Sequence, residues 1–302
     1  MSHDHHHIHD IDISSRAVNR KRLLITLILL AIFMVAEFVG GLLANSLALI
    51  ADAGHMLSDV AAITISFFAI WISQRPPVRQ HTYGFFRTEI FAALFNGVAL
   101  VVISIIILIE AFERFSNPPE VLAPLMIGVA SVGLIVHLTG LFILSGGRTE
   151  SLNVRAAWLH VLTDALGGIG VIISGGLIWA FGWYIADPIA SVLIGLLVLF
   201  SACTLIKEAV RILMEVAPGH LDADKIRTEI KSLSGVSEVH DLHIWTVTTG
   251  RDVLTGHVII KSDTNALDIL HKVHEILHDR FGLDHITIQV EPEDFDEEEC
   301  TY

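Results

Sequence analysis

Six apolar stretches, each long enough to cross a bilayer as a helix, constrain this chain more than any other feature: Leu23–Ala44, Leu47–Ile72, Ile90–Phe112, Leu122–Leu144, Leu152–Phe181 and Ile185–Ile206. A spanning helix needs about 20 mostly apolar residues. In hydrocarbon every backbone N–H and C=O must be satisfied internally, which helices achieve and irregular chain does not. With 53% hydrophobic residues among 302, the chain is too apolar for an ordinary soluble domain. The first stretch follows a His-rich tail and has no small-residue cleavage site after it, so it reads as a retained span. Lys and Arg set the orientation. Arg16, Arg20, Lys21 and Arg22 precede the first stretch; Arg75, Arg79 and Arg87 lie between the second and third; Arg148 and Arg155 lie between the fourth and fifth; Lys207 and Arg211 close the sixth. The opposite loops hold only Arg114. The positive-inside rule then predicts a multi-pass protein of the cytoplasmic (inner) membrane with both termini cytoplasmic.

After Met214 the pattern becomes that of a compact domain. Periodicity predicts a helix over Asp222–Leu233, strands over Val236–Val247 and Val253–Lys261, a helix over Ala266–Phe281 and a strand over His285–Val290. The expected fold class is thus a polytopic α-helical membrane protein of six transmembrane helices with a C-terminal α+β domain, αββαβ, of metallochaperone-like ferredoxin type. The expected parts are a His-rich cytoplasmic tail (1–22), a transport domain (23–214), a cytoplasmic metal-binding and dimerisation domain (215–293) and an acidic disordered tail (294–302). From Glu215 onward 19 acidic residues stand against 7 basic ones, which argues against nucleic acid as a partner; cation handling and a merely self-repelling soluble domain both fit. Two cysteines, Cys203 and Cys300, imply no disulfide framework.

Ionisable side chains at mid-bilayer cost about 2.5–3.5 kcal/mol each on insertion scales, so those inside a span point to function. The second and fifth spans carry the same pair: His55 and Asp59, His160 and Asp164. A four-residue separation puts imidazole and carboxylate on one helical face, one turn apart. Asp59 lies 13 residues from Ser46 and Asp164 lies 13 from Ser151. At 1.5 Å per residue each carboxylate is roughly 20 Å from its own helix start, which brings antiparallel spans level in mid-membrane. Two nitrogens and two carboxylates suit Zn²⁺, and also Co²⁺ or Cd²⁺; Mg²⁺ and Ca²⁺ want all-oxygen shells. A single His–Asp pair reads equally well as inter-helical glue; its duplication at matched depth favours metal.

Together with Ala-Asp-Ala-Gly-His55, Asp187-Pro188 at the opening of the sixth span and His240-Asp-Leu-His-Ile-Trp in the last domain, these motifs resemble the cation diffusion facilitator family of metal/proton antiporters, from about Leu23 to Glu291. The resemblance implies a homodimer that exports Zn²⁺, and Cd²⁺ or Co²⁺, in exchange for protons. It also implies Zn²⁺ as a structural or regulatory ligand of the cytoplasmic domain at His240, His257 and Glu291, with no organic cofactor. Arg87 and Glu215 match a charge pair that interlocks the dimer in relatives. Two departures stand out. The final strand has Gln289 and Glu291 where a His and an Asp can occur, and the loop between the second and third spans keeps only His81 of an accessory metal site.

Exchange has a physical basis in the residues themselves, because a metal that binds neutral imidazole and carboxylate must displace protons. An imidazole titrates near about 6.5 before its surroundings act on it, within reach of physiological gradients. Asp52 shares the face of His55 one turn away and is a candidate proton relay, or a structural hydrogen-bond partner. Glu37, Asn96, Glu110 and His137 are further polar groups in spans, read as packing or cavity residues, and Gly167, Gly168, Gly170, Gly175 and Gly176 predict close packing along the fifth span. His3, His5, His6, His7 and His9 form a tract able to bind metal loosely. His271, His274 and His278 read as a solvated helix face. An intramembrane metalloenzyme and a membrane-bound metal sensor are the competing readings, but no His-Glu-x-x-His or signalling motif supports them.

Overall fold

The computed structural model describes residues 6–73, 83–146, 152–248 and 250–295. In chain order these form α1 (His6–Ala44), α2 (Leu47–Ser73), α3 (Arg87–Ser116), α4 (Ala123–Ser145), α5 (Leu152–Phe181), α6 (Ala186–Leu213), α7 (Ala223–Lys231), β1 (Val236–Thr248), β2 (Arg251–Ile260), α8 (Ala266–Phe281) and β3 (His285–Pro292). Among the described residues, five of the first six helices are long and apolar enough to cross a membrane, and α2 contributes the apolar stretch Leu47–Ser58. The expected six-helix membrane part and αββαβ order are both present. Helix α1 starts well before the apolar stretch, because no Gly or Pro between His6 and Leu23 interrupts it.

The chain divides into two compact units, one of 1–65 with 95–205, the other of 66–94 with 206–302. The second therefore gathers the ends of α2 and α6 and the start of α3 with the α+β elements.

In the first unit a core of Leu47, Leu49, Leu100, Ile107, Met126, Val171, Ile178, Ile194 and Val198 draws α2 to α6 together. A smaller cluster of Leu144, Val154 and Val161, with Leu23, Leu30 and Trp158 against it, joins α1, α4 and α5. Ile32, Phe95, Phe142, Trp179 and Phe200 are exposed on the outside. Such a surface is untenable in water and is what a lipid-facing surface requires. The glycine expectation for α5 needs correction. A Cβ on Gly175 would lie 2.7 Å from Ile127 Cγ1, and one on Gly167 would lie 3.8 Å from Asp52 Oδ1, but at Gly168, Gly170 and Gly176 it would meet nothing within 4 Å among the described residues. Close approach is therefore a property of Gly175 rather than of the whole run.

In the second unit β1 pairs antiparallel with β2, and β2 parallel with β3. Apolar faces of α7 (Ile226, Ile230) and α8 (Ile269, Val273, Leu277) cover Val239, Leu254 and Val258 of the sheet. Local chemistry sets the helix ends. Asp222 caps α7 by accepting from Asp224 N–H and Lys225 N–H, and Asn265 caps α8 by accepting from Leu267 N–H. Gly282 ends α8 in the left-handed region at φ 68°, where an L side chain would be strained.

Candidate metal centres

Inside the first unit α2 and α5 bring His55, His160 and Asp164 together. His55 Nε2 lies 3.7 Å from Asp164 Oδ1, and His160 Nε2 lies 3.8 Å from Asp164 Oδ2. The two imidazoles meet edge to face with centroids 5.9 Å apart. The Asp164 side chain is 4% exposed, against 22% for His55 and 42% for His160. A buried carboxylate thus sits between two more accessible nitrogens. Asp59 lies on α2 four residues after His55; its side chain, like His81 and the side chains of His3, His5, His6, His7 and His9, lies outside the described residues.

Further ionisable groups surround this trio. Glu37 on α1 is 2% exposed, and its carboxyl stands beside the Asp52 carboxyl on α2. Asp52 in turn faces Gly167, one turn from Asp164 on α5. His137 on α4 is buried edge-on against Phe33. Sequence reading treated Glu37 as a packing or cavity residue. Its pairing with Asp52 was invisible there because the two groups sit on different helices. Glu110 stands apart from the trio and pairs instead with Arg114 one turn on, at 2.9 Å.

A second set lies on the sheet. One donor atom from each of His240, His257 and Glu291 falls within 4.8 Å of the others. His240 and His257 are cross-strand partners, and Glu291 lies opposite Ile259, two residues from His257 and so on the same sheet face. Glu291 spans both rings, with Oε2 3.2 Å from His240 Nε2 and Oε1 2.9 Å from His257 Nδ1. Gln289 donates to Glu291 Oε1 at 2.9 Å, so it orients the carboxylate. Two imidazoles and a carboxylate, mutually within ligand reach, fit a borderline-soft divalent ion such as Zn²⁺.

Asp241 is a residue that sequence reading missed. Between His240 and His243 the ladder carries one extra residue, and Asp241 sits there at φ 47°. Such a bulge re-aims a side chain. The Asp241 carboxylate consequently accepts from His243 at 2.8 Å and lies 3.8 Å from His257 Nε2. The hydrogen bond from His243 holds the Asp241 carboxyl below the usual carboxylate range.

Arg87 and Glu215 form an ion pair within one chain. Beside them Thr248 donates to Glu89, and Arg251 stacks 4.3 Å over the Phe86 ring. His271, His274 and His278 line the exposed face of α8.

A family model described as "Cation efflux transmembrane domain" matches residues 23–214, and one described as "Cation efflux protein, cytoplasmic domain" matches residues 218–293. The chain is 41% identical over 285 residues to the "Cadmium, cobalt and zinc/H(+)-K(+) antiporter" of Bacillus subtilis (strain 168), covering 92% of this chain and 91% of that protein. It is 42% identical over 289 residues to "Zinc transporter ZitB" of Escherichia coli (strain K12), covering 95% and 92%. A solved structure, "Metal-bound C-terminal domain of the CzcD transporter from Cuprividus metallidurans", is 36% identical over 24% of this chain and 99% of that one, with a TM-score of 0.23. With its membrane part and its α+β part each matched over nearly their whole length, the chain belongs to the cation efflux family, the cation diffusion facilitators that its paired motifs resemble.

Proposed function

We propose that this protein exports Zn²⁺, with Cd²⁺ and Co²⁺ as alternative cargo, from the cytoplasm in exchange for protons, through a site of His55, Asp59, His160 and Asp164. The observation that carries this reading is the convergence of His55, His160 and Asp164 from two membrane-spanning helices, with a buried carboxylate placed between two imidazoles. The names of its relatives, which carry cadmium, cobalt, zinc and protons, support the same cargo and counter-ion. Membership of a transport family also removes the metalloenzyme reading.

Cargo and protons compete for the same atoms, because imidazole must be neutral and carboxylate ionised to bind metal. Metal loads where protons are scarce and leaves where they are abundant. Glu37 and Asp52 extend the site. Two carboxyl groups share a hydrogen bond when a proton lies between them, so this pair can store or pass on a proton one helical turn from the ligands. We assign Asp52 as the relay and Glu37 as its partner. The protein works as a homodimer in the cytoplasmic membrane with both termini inside, in keeping with its basic loops. His240, His257 and Glu291 hold a resident Zn²⁺ that steadies or regulates the cytoplasmic domain, and Arg87–Glu215 braces that domain near the membrane surface.

The test is Zn²⁺ flux in proteoliposomes under an imposed pH gradient, comparing the unaltered chain with Asp59→Ala and Asp164→Ala. Flux that follows the gradient and is lost in both variants, with folding intact, is the expected result. Flux indifferent to the gradient would make the protein a uniporter and end the exchange reading.

A further inference from the structure

Asp187, in the first turn of α6, is wholly buried. Its carboxylate does not serve its own helix. It accepts the Ser46 hydroxyl at 2.6 Å, the Leu47 N–H at 2.9 Å and the Ala48 N–H at 3.3 Å. The first N–H groups of a helix have no intrahelical acceptor. Those of α2 are therefore capped by a residue some 140 positions later, with the charge placed where the helix dipole favours it. Ser46 Oγ completes the cap by accepting from Leu49 N–H at 3.3 Å.

Arg114, at the last turn of α3, extends the clasp. Its Nη1 lies 3.8 Å from Asp187 Oδ2 and donates to Asn45 O at 2.9 Å, while Nη2 donates to Asn45 Oδ1 at 3.3 Å. Asn45 sits at φ 55°, in the left-handed turn from α1 to α2. One carboxylate and one guanidinium thus pin the start of α2 to the end of α3 and the start of α6.

The consequence lies further down α2. The buried faces around the clasp are apolar (Leu47, Ala48, Leu49, Ala51, Ala53), and in a membrane apolar contact alone fixes axial height weakly, since lipid is as apolar as a neighbouring helix. Polar anchors then decide the height of the helix. His55 is eight residues beyond Leu47, about 12 Å along the axis. A ligand constellation has to be held to roughly 0.5 Å. We propose that Asp187 is a positioning residue for the transport site: through the first turn of α2 it sets the height at which His55 meets His160 and Asp164. The inference rests on the reading that those residues carry the cargo.

Zinc flux measured against zinc concentration in proteoliposomes of the full-length protein tests it, with Asp187→Asn, Ser46→Ala and Ser46→Thr alongside Asp164→Ala. Asp187→Asn keeps an acceptor for the backbone but loses the charge facing Arg114. It and Ser46→Ala should raise KM by about tenfold or more, the scale seen when the partners that orient metal ligands are removed. The rate at saturating zinc should stay near that of the unaltered protein, and Ser46→Thr, which retains the hydroxyl, should restore KM. Unchanged KM, or a lower maximal rate at unchanged KM, overturns the proposal, because a merely structural clasp would cost folded protein rather than affinity. Should Asp187→Asn fail to fold, the contrast between Ser46→Ala and Ser46→Thr decides alone. Full transport by Asp164→Ala would sink the site assignment and this inference together. Loss of transport in Asp164→Ala with normal KM in the clasp variants would sink only the inference.

Discussion

His55 and His160 come from two helices, each of which carries its ligands one turn apart, whereas His240 and His257 face each other across one hairpin ladder. Both sets pair one buried carboxylate with two more accessible imidazoles, Asp164 and Glu291 each being 4% exposed. They differ in spacing. The carboxylate–imidazole distances of 3.7 and 3.8 Å in the membrane exceed hydrogen-bonding range, while those on the sheet, 3.2 and 2.9 Å, lie near it. Cross-strand pairing holds the sheet donors together before any ion arrives. The helical donors depend on how two helices stand against each other, so a small helix shift alters the site. The sheet arrangement suits a resident ion, and the helical one suits a cargo that must be released.

The same substitution in each set breaks or sharpens this contrast. His160→Ala should lower zinc flux in proteoliposomes by more than about a hundredfold, since loss of a ligand should exceed the 10–100-fold cost of losing a supporting group. His240→Ala should leave most of the flux intact. Equal losses would show that both sets lie on the transport route.

A smaller effect appears in stability. At zinc about 100 times its dissociation constant, a bound ion contributes about 2.7 kcal/mol to the folded state. Zinc should therefore raise the thermal transition of the α+β part, chelation should lower it, and Glu291→Gln should abolish both responses without abolishing transport. A Glu291→Gln protein that still gains zinc-dependent stability there would mean that the ion sits elsewhere.

The smallest effect concerns Asp241. Its carboxyl is held low by His243, so this contribution to stability is present above the unfolded carboxyl value, near about 4, and is lost as pH falls through the folded one. The group is half-exposed and screened, which limits the contribution to about 0.5 kcal/mol or less. Melting curves of Asp241→Asn should fall slightly below those of the unaltered protein at neutral pH and converge with them in acid. A gap that widens in acid would reverse the assignment.

Much of the molecule is legible along the chain. The six spans follow from run length, and αββαβ follows from helical and alternating apolar periodicity between Asp222 and Val290. The pairing of His160 with Asp164 follows from a four-residue step, because a helix repeats every 3.6 residues. The bulge at Asp241 is not legible, since an unpaired residue is defined by its partner strand. Nor is the pairing of Glu37 with Asp52. The glycines of α5 look alike in sequence, yet only Gly175 meets a neighbour at a distance no side chain would tolerate.

Sequence alone determined what each segment could be and which ligands share a helical face, since chain spacing settles those directly. Tertiary structure alone decided that Asp187 would cap a helix begun 140 residues earlier, that Glu37 would meet Asp52 and that Glu291 would span His240 and His257. Each of those depends on where a buried polar group finds a partner it cannot do without. Desolvation supplies the drive, and only the packed chain supplies the address.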